Sequence, residues 1–373
     1  ESLKRMALIQ RTGGGTGFSF SRLRPRGALV RSTGGKASGP VSFLRIFDGA
    51  TEHIRQGGKR RGANMGVLRV DHPDILEFVR LKSVGCGAAN FNLSVGVTDA
   101  FMEAVEAGRD ISLHHPRTGC AEVVPATDLF NGIAQAAWEC GDPGLVFLDA
   151  INRANPTPHL GRIEATNPCG EIPLLPYEAC NLGSLNLTHM LAGGVGGRRI
   201  DWARLDRTVR LAVRFLDDVI EAGEFPFEEI DRLVRGNRKI GLGVMGFAEM
   251  LILLGVPYDS EQAVGLAGRL MEFIAAAAGA ASEELAARRG VFPNWPGSVH
   301  ESAGRQLRHA TCMSIAPTGT IGIIAGTSGG IEPLFALAFR RSHTMGGERL
   351  SEVNALFRGH AAGLGPVSYT HLR

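Results

Sequence analysis

The chain has 373 residues, 44% hydrophobic and 21% charged, which suffices for one large core or two ordinary ones. A formal charge of +3 gives no electrostatic reason to expect nucleic acid as a partner. Six cysteines, at 86, 120, 140, 169, 180 and 312, do not make a disulfide scaffold, and neither Cys-x-x-Cys nor Cys/His spacing points to a metal.

Only five of the 40 basic residues are lysine (Lys4, Lys36, Lys59, Lys82, Lys239). Arginine suits phosphate, but GC-rich coding produces the same bias and is the preferred explanation. There is no signal-peptide pattern, and Glu249 interrupts the best apolar run. The expectation is a cytoplasmic protein with reduced thiols and no membrane partner. The sequence opens at Glu1 in mid-pattern, which reads as a piece of a longer polypeptide.

Residues 1–11 read as the end of a helix. The glycine-rich 13–20 lacks Gly-Lys-Ser/Thr and a strand–GxGxxG–helix setting, so it is neither a P-loop nor a dinucleotide turn. Its glycines are expected to let backbone pass close to another element. Residues 21–40 read as a long surface loop, followed by a helix over 41–56. Lys59, Arg60 and Arg61 among glycines form either a solvated turn or an anion site.

A strand over 67–70 precedes a helix expected to be capped by 71–74 and to run to about Lys82. A strand at 92–97, a Thr98-capped helix, a helix at 127–140 and a strand at 145–148 follow; this alternation predicts parallel β/α architecture. His114 and His115 are adjacent and so diverge, a poor metal pair. Helices are expected over 201–221, from Arg238 to Gly255, and over 261–290. A strand over 312–316 should lead through Pro317, Thr318, Gly319, Thr320 and Ile321 into a helix N-terminus, a phosphate site on physical grounds or else a plain turn.

The centre of the chain is Asn167-Pro168-Cys169-Gly170-Glu171-Ile172-Pro173, with Cys180 eleven positions beyond Cys169. Pro168 and Gly170 favour a turn or loop tip. In an extended run Asn167, Cys169 and Glu171 would point one way; the bland reading is a surface loop with an inert cysteine.

Asn-x-Cys-x-Glu, the second Cys and the tail Asn181-Leu182-Gly183-Ser184-Leu185-Asn186-Leu187 resemble the active-site loop of ribonucleotide reductases. The compact spacing and the Pro-Cys-Gly-Glu-Ile-Pro wording are most similar to the adenosylcobalamin-dependent class, and the resemblance runs from Leu8 to about Gly346. It implies a ten-stranded α/β barrel of two parallel five-stranded halves: residues 1–165, a central finger loop at 166–185, and part of the second half at 186–365. The tail 366–373 does not match.

On that resemblance Cys169 carries a thiyl radical, Glu171 is a general base, Asn167 holds the ribose hydroxyls and Cys180 is a reductant. Pro317, Thr318, Gly319, Thr320 and Ile321 form the substrate-diphosphate loop, with Ser38 and Gly39 as further substrate contacts. Two allosteric loops bind a deoxynucleotide effector through Arg24, Gln56, Arg60 and Ala63. The implied cofactor is adenosylcobalamin (vitamin B12), and the implied partners are a ribonucleotide, a thioredoxin-type reductant and a second copy in a homodimer. The family's partner for Cys180 should precede the start of this sequence; Cys86, the nearest available cysteine, has a context that does not match. The family's C-terminal cysteine pair is not found either.

Three other readings compete. A di-iron reductase subunit shares Asn-x-Cys-x-Glu but has wider cysteine spacing and a tyrosine pair, whereas Tyr177, Tyr258 and Tyr369 are unpaired in sequence. A cysteine hydrolase would need a histidine partner. A nucleotide-binding segment without catalysis is the alternative outside enzymes.

Overall fold

The computed structural model describes residues 1–32, 34–56, 60–83, 87–194, 197–341 and 350–363. Contacts divide the chain into two units: 1–180 with 220–239 and 286–311, and 181–219 with 240–285 and 312–373.

The first unit is built on a parallel sheet. Its strands Thr16–Ser19, Asn64–Arg69, Phe91–Val97 and Gly144–Phe147 lie side by side in that order. Helices Pro40–His53, Ile75–Val79, Asp99–Glu106 and Ala126–Cys140 make the crossovers. Strands covered on both faces become apolar runs, and Val67, Leu68, Leu93, Val95 and Val97 are all buried. Phe18, Phe20, Phe47 and Phe91 cluster against them, with Phe18 and Phe47 edge-on at 4.9 Å. Each fully buried side chain of this size stabilises the fold by about 2 kcal/mol.

One buried amide locks the first elements together. Asn64 Oδ1 accepts from Gln10 Nε2 (2.8 Å) and Thr16 Oγ1 (2.6 Å), and Asn64 Nδ2 donates to Thr51 Oγ1 (2.9 Å). Thr98 caps its helix as expected, accepting from Phe101 N, and the helix Ala126–Cys140 stops at Gly141 in left-handed backbone. The helix after Asp74 spans only Ile75–Val79, shorter than expected. Asp74 does not cap it by side chain, because its carboxylate accepts from Arg26 N at 2.8 Å. The antiparallel pair Asp110–His115 and Gly119–Pro125 has no counterpart in the sequence reading.

The second unit holds a parallel strand pair, Asn181–Asn186 with Ile240–Met245, Asn181 opposite Ile240. The helix expected from Arg238 is therefore a strand through Met245, then a helix Phe247–Leu254. All six strand residues are buried, so no period marks the strand in sequence. A Cβ on Gly243 would lie 2.1 Å from Ser314 O, so glycine admits the segment 312–314. That segment makes a single bridge, Leu242 to Met313, rather than the expected strand over 312–316. The helix Glu261–Arg289 is long and apolar enough by composition to cross a membrane. Its buried Leu266, Leu270, Ile274, Ala277 and Ala281 recur every three or four residues, marking one packed face.

Candidate active site

Residues 165–174 form a hairpin. Ala165 lies opposite Leu174 and Thr166 opposite Pro173. Asn167 N donates to Ile172 O (3.2 Å), Ile172 N to Asn167 Oδ1 (2.9 Å) and Gly170 N to Asn167 O (3.1 Å). Gly170, at φ +89°, supplies the left-handed residue this turn needs. The amide's other end is also used: Asn167 Nδ2 donates to Glu171 Oε2 at 2.6 Å. The expected alternation along an extended run is thus replaced by a tight turn that joins Asn167 to Glu171 directly. Cys169 stands exposed at the tip.

The hairpin needs a seat, and glycines provide it. A Cβ on Gly17 would lie 1.8 Å from Thr166 O, and one on Gly15 would lie 2.5 Å from Pro168 Cγ. Asn92 Nδ2, a contact the sequence reading missed, donates to Pro168 O at 2.6 Å. At the base, Glu164 accepts from the Arg22 guanidinium at 2.5 Å, a bond that raises the arginine's pKa. The outgoing limb is pinned by Glu178, equally missed, whose carboxylate is buried against Lys239 and Asn237. Cys180 follows, half-buried, directly before the strand Asn181–Asn186.

In the second unit Thr318 is the N-cap of the helix Gly319–Ala325, with φ +54°. Thr318 is buried and its Oγ1 accepts from Gly330 N at 2.8 Å, so that hydroxyl is committed within the loop. Pro317, Gly319, Thr320 and Ile321 are exposed. The first N–H groups of the helix have no acceptor along it, which is the chemistry an anion can satisfy. Glu249 braces the far side, accepting from Ser328 N (3.0 Å) and Asn354 Nδ2 (2.7 Å).

The loop 24–40 contains the short pair Leu29–Val30 and Gly35–Lys36 and is less open than its sequence suggests. Arg24 is half-buried and Ser38 exposed. Gly39 is buried at φ +83°, where a Cβ would meet Asp74 Oδ2 at 2.8 Å. Gln56 pairs with Arg60 through backbone; their side chains, like residues 57–59 and Cys86, lie outside the described residues. Ala63 is exposed and its carbonyl accepts from Thr16 N at 3.2 Å. Among the described residues, no three His, Cys, Asp or Glu gather as a metal ion would require.

Comparison with known proteins identifies the family. The family model for the ribonucleotide reductase barrel domain matches residues 1–307 and 301–362. A vitamin B12-dependent ribonucleoside-diphosphate reductase of Thermoplasma acidophilum is 53% identical over 375 residues, covering 100% of this chain and 48% of the relative. A Mycobacterium tuberculosis (strain CDC 1551 / Oshkosh) protein of the same name is 57% identical over 358 residues, covering 95% and 51%. A vitamin B12-dependent ribonucleotide reductase of Streptomyces clavuligerus is 33% identical, covering 94% and 43%. The chain thus spans about half the length of the curated relatives it matches. With most of its residues matched, and Asn167, Cys169 and Glu171 on one tight hairpin, the chain belongs to the ribonucleotide reductase barrel-domain family.

Proposed function

We propose that this chain carries the radical chemistry of ribonucleotide reduction, with Cys169 as the thiyl carrier, working with adenosylcobalamin. The observation that carries the reading is an exposed thiol held at a hairpin tip beside a hydrogen-bonded amide–carboxylate pair. The relatives at 53–57% identity are named for vitamin B12 dependence, which favours this class over a di-iron subunit.

The exposed Cys169 suits a radical source that is a separate cofactor, because the sulfur can be approached from outside the loop. When bound, the cofactor supplies an unpaired electron by homolysis of its cobalt–carbon bond. The chain's own residues then act on the sugar. The Cys169 sulfur removes the 3′-hydrogen, Glu171 takes the 3′-hydroxyl proton, and Asn167 orients both the carboxylate and the ribose hydroxyls. The C2′–O bond breaks and its hydroxyl leaves as water, Cys180 with a second thiol supplies two electrons and becomes a disulfide, Cys169 returns the hydrogen to C3′, and a thioredoxin-type reductant restores the thiols.

Substrate diphosphate sits on the amides of 319–321, and Ser38 and Gly39 are further candidate substrate contacts. A deoxynucleotide effector binds Arg24, Gln56, Arg60 and Ala63. The fold completes as a ten-stranded barrel, residues 1–165 and 186–365 contributing to its two halves around the finger loop 166–185, and two copies associate. The test is Cys169→Ser in the full chain with ribonucleoside diphosphate: both product formation and tritium exchange from the 5′ carbon of adenosylcobalamin should disappear. Normal exchange removes Cys169 from the role.

A further inference from the structure

We infer that Glu178 and Lys239 are a positioning pair for the Cys180 thiol, an inference that rests on reading Cys180 as the reductant. Their side chains are 0% and 2% exposed, with Lys239 Nζ 2.8 Å from Glu178 Oε2. The carboxylate is fully engaged: Oε2 also accepts from Leu175 N (2.8 Å), and Oε1 from Asn237 Nδ2 (2.5 Å). Glu178 N returns a bond to Leu175 O at 3.0 Å, closing the turn 175–178 just before Cys180. Asn237 is held in turn, its Oδ1 accepting from Asn294 Nδ2 at 2.8 Å. A Cβ on Gly236 would lie 2.4 Å from that Asn294 nitrogen, so the glycine keeps the bond possible.

Stability alone does not explain the pair. Two buried charges lose hydration that their attraction barely repays, and well-packed apolar residues of similar volume often do as well. The best-attested use of such groups is to select one register. Lys239 directly precedes Ile240, and Ile240 is the register partner of Asn181, the residue after Cys180. A slip of one residue there would carry the Cys180 thiol about 3.3 Å along the strand and turn it to the opposite face. An apolar pair tolerates such a slip, whereas a charge that must find its counter-ion does not.

The test compares wild type with Glu178→Gln/Lys239→Met, which removes both charges, and with Asn294→Ala, which loosens Asn237 without stranding a charge. Iodoacetamide labelling of Cys180 is followed by peptide mass spectrometry, with exposed Cys140 as the internal reference. The thermal midpoint is measured beside it. The double variant should keep its midpoint within a few degrees while the Cys180 labelling rate changes by about tenfold and that of Cys140 does not. Asn294→Ala should shift the Cys180 rate about threefold in the same direction, and decides the matter if the double variant does not fold. A wild-type Cys180 rate in the folded variants overturns the inference. Failure of the reductant reading would show separately, as normal multiple turnover in Cys180→Ser.

Discussion

Asn167 and Glu171 are joined side chain to side chain across the turn, Nδ2 to Oε2 at 2.6 Å, while Asn167 Oδ1 accepts from Ile172 N at 2.9 Å. With both ends of the amide used, its orientation is set, and the donor aimed at the carboxylate is a consequence of the turn itself. Asn167→Asp separates the two functions. An aspartate can still accept from Ile172 N but sets one carboxylate against another. The expected outcome is a folded protein whose acid limb of kcat/KM against pH moves to higher pH, because like charge opposes the ionised base. An unmoved profile would mean that Glu171 is not the base.

The seat of the hairpin predicts a steep dependence on one methyl group. Gly17→Ala places a Cβ 1.8 Å from Thr166 O, so backbone must move. The cost should be about 1–3 kcal/mol in unfolding free energy, with a larger proportional loss of turnover than of stability. Gly170→Ala, strained at φ +89°, should cost about 1–2 kcal/mol by a different route. Denaturant titration with turnover on the same samples checks both.

The phosphate role proposed for 317–321 separates backbone from side-chain recognition. Thr320→Ala removes one exposed hydroxyl and should cost about 1 kcal/mol in substrate affinity. Gly319→Val puts a branched side chain into the open space where a phosphate would approach these amides and should cost more, read as a higher Kd for a ribonucleoside diphosphate by calorimetry. Equal affinity in Gly319→Val would defeat the loop assignment.

The effector role proposed for Arg24, Gln56, Arg60 and Ala63 predicts a change in choice rather than in rate. Gln56→Ala or Arg60→Ala should flatten the dependence of base preference on the deoxynucleotide present, a coupling of about 1–3 kcal/mol. Competition assays with four substrates and each effector measure it. The coupling is reciprocal, so substrate should tighten effector binding by the same factor. Loss of all activity with preference intact would make these residues catalytic or structural.

Much of this protein was legible in order along the chain. The candidate reacting groups stand close together in sequence, so Asn167, Cys169 and Glu171 could be picked out by type and spacing. The glycines at 15 and 17 announced a close approach of backbone, though not that Thr166 and Pro168 would fill it. Alternation of strand and helix through residue 148 carried three of the four strands of the parallel sheet, because short apolar runs alternate there with segments of helical spacing; the edge strand Thr16–Ser19 was hidden among glycines.

Tertiary structure decided what local pattern does not encode. Ile240–Met245 is a strand because both its faces are covered, which erases the period that would have told strand from helix. The loop around Cys169 is a turn rather than an extended run because Gly170 takes left-handed backbone and Asn167 closes the hydrogen bonds. Glu178 and Lys239 meet across 61 positions of sequence. Neither has a local reason to be buried; only folding, by taking both from water at once, makes each the other's required partner.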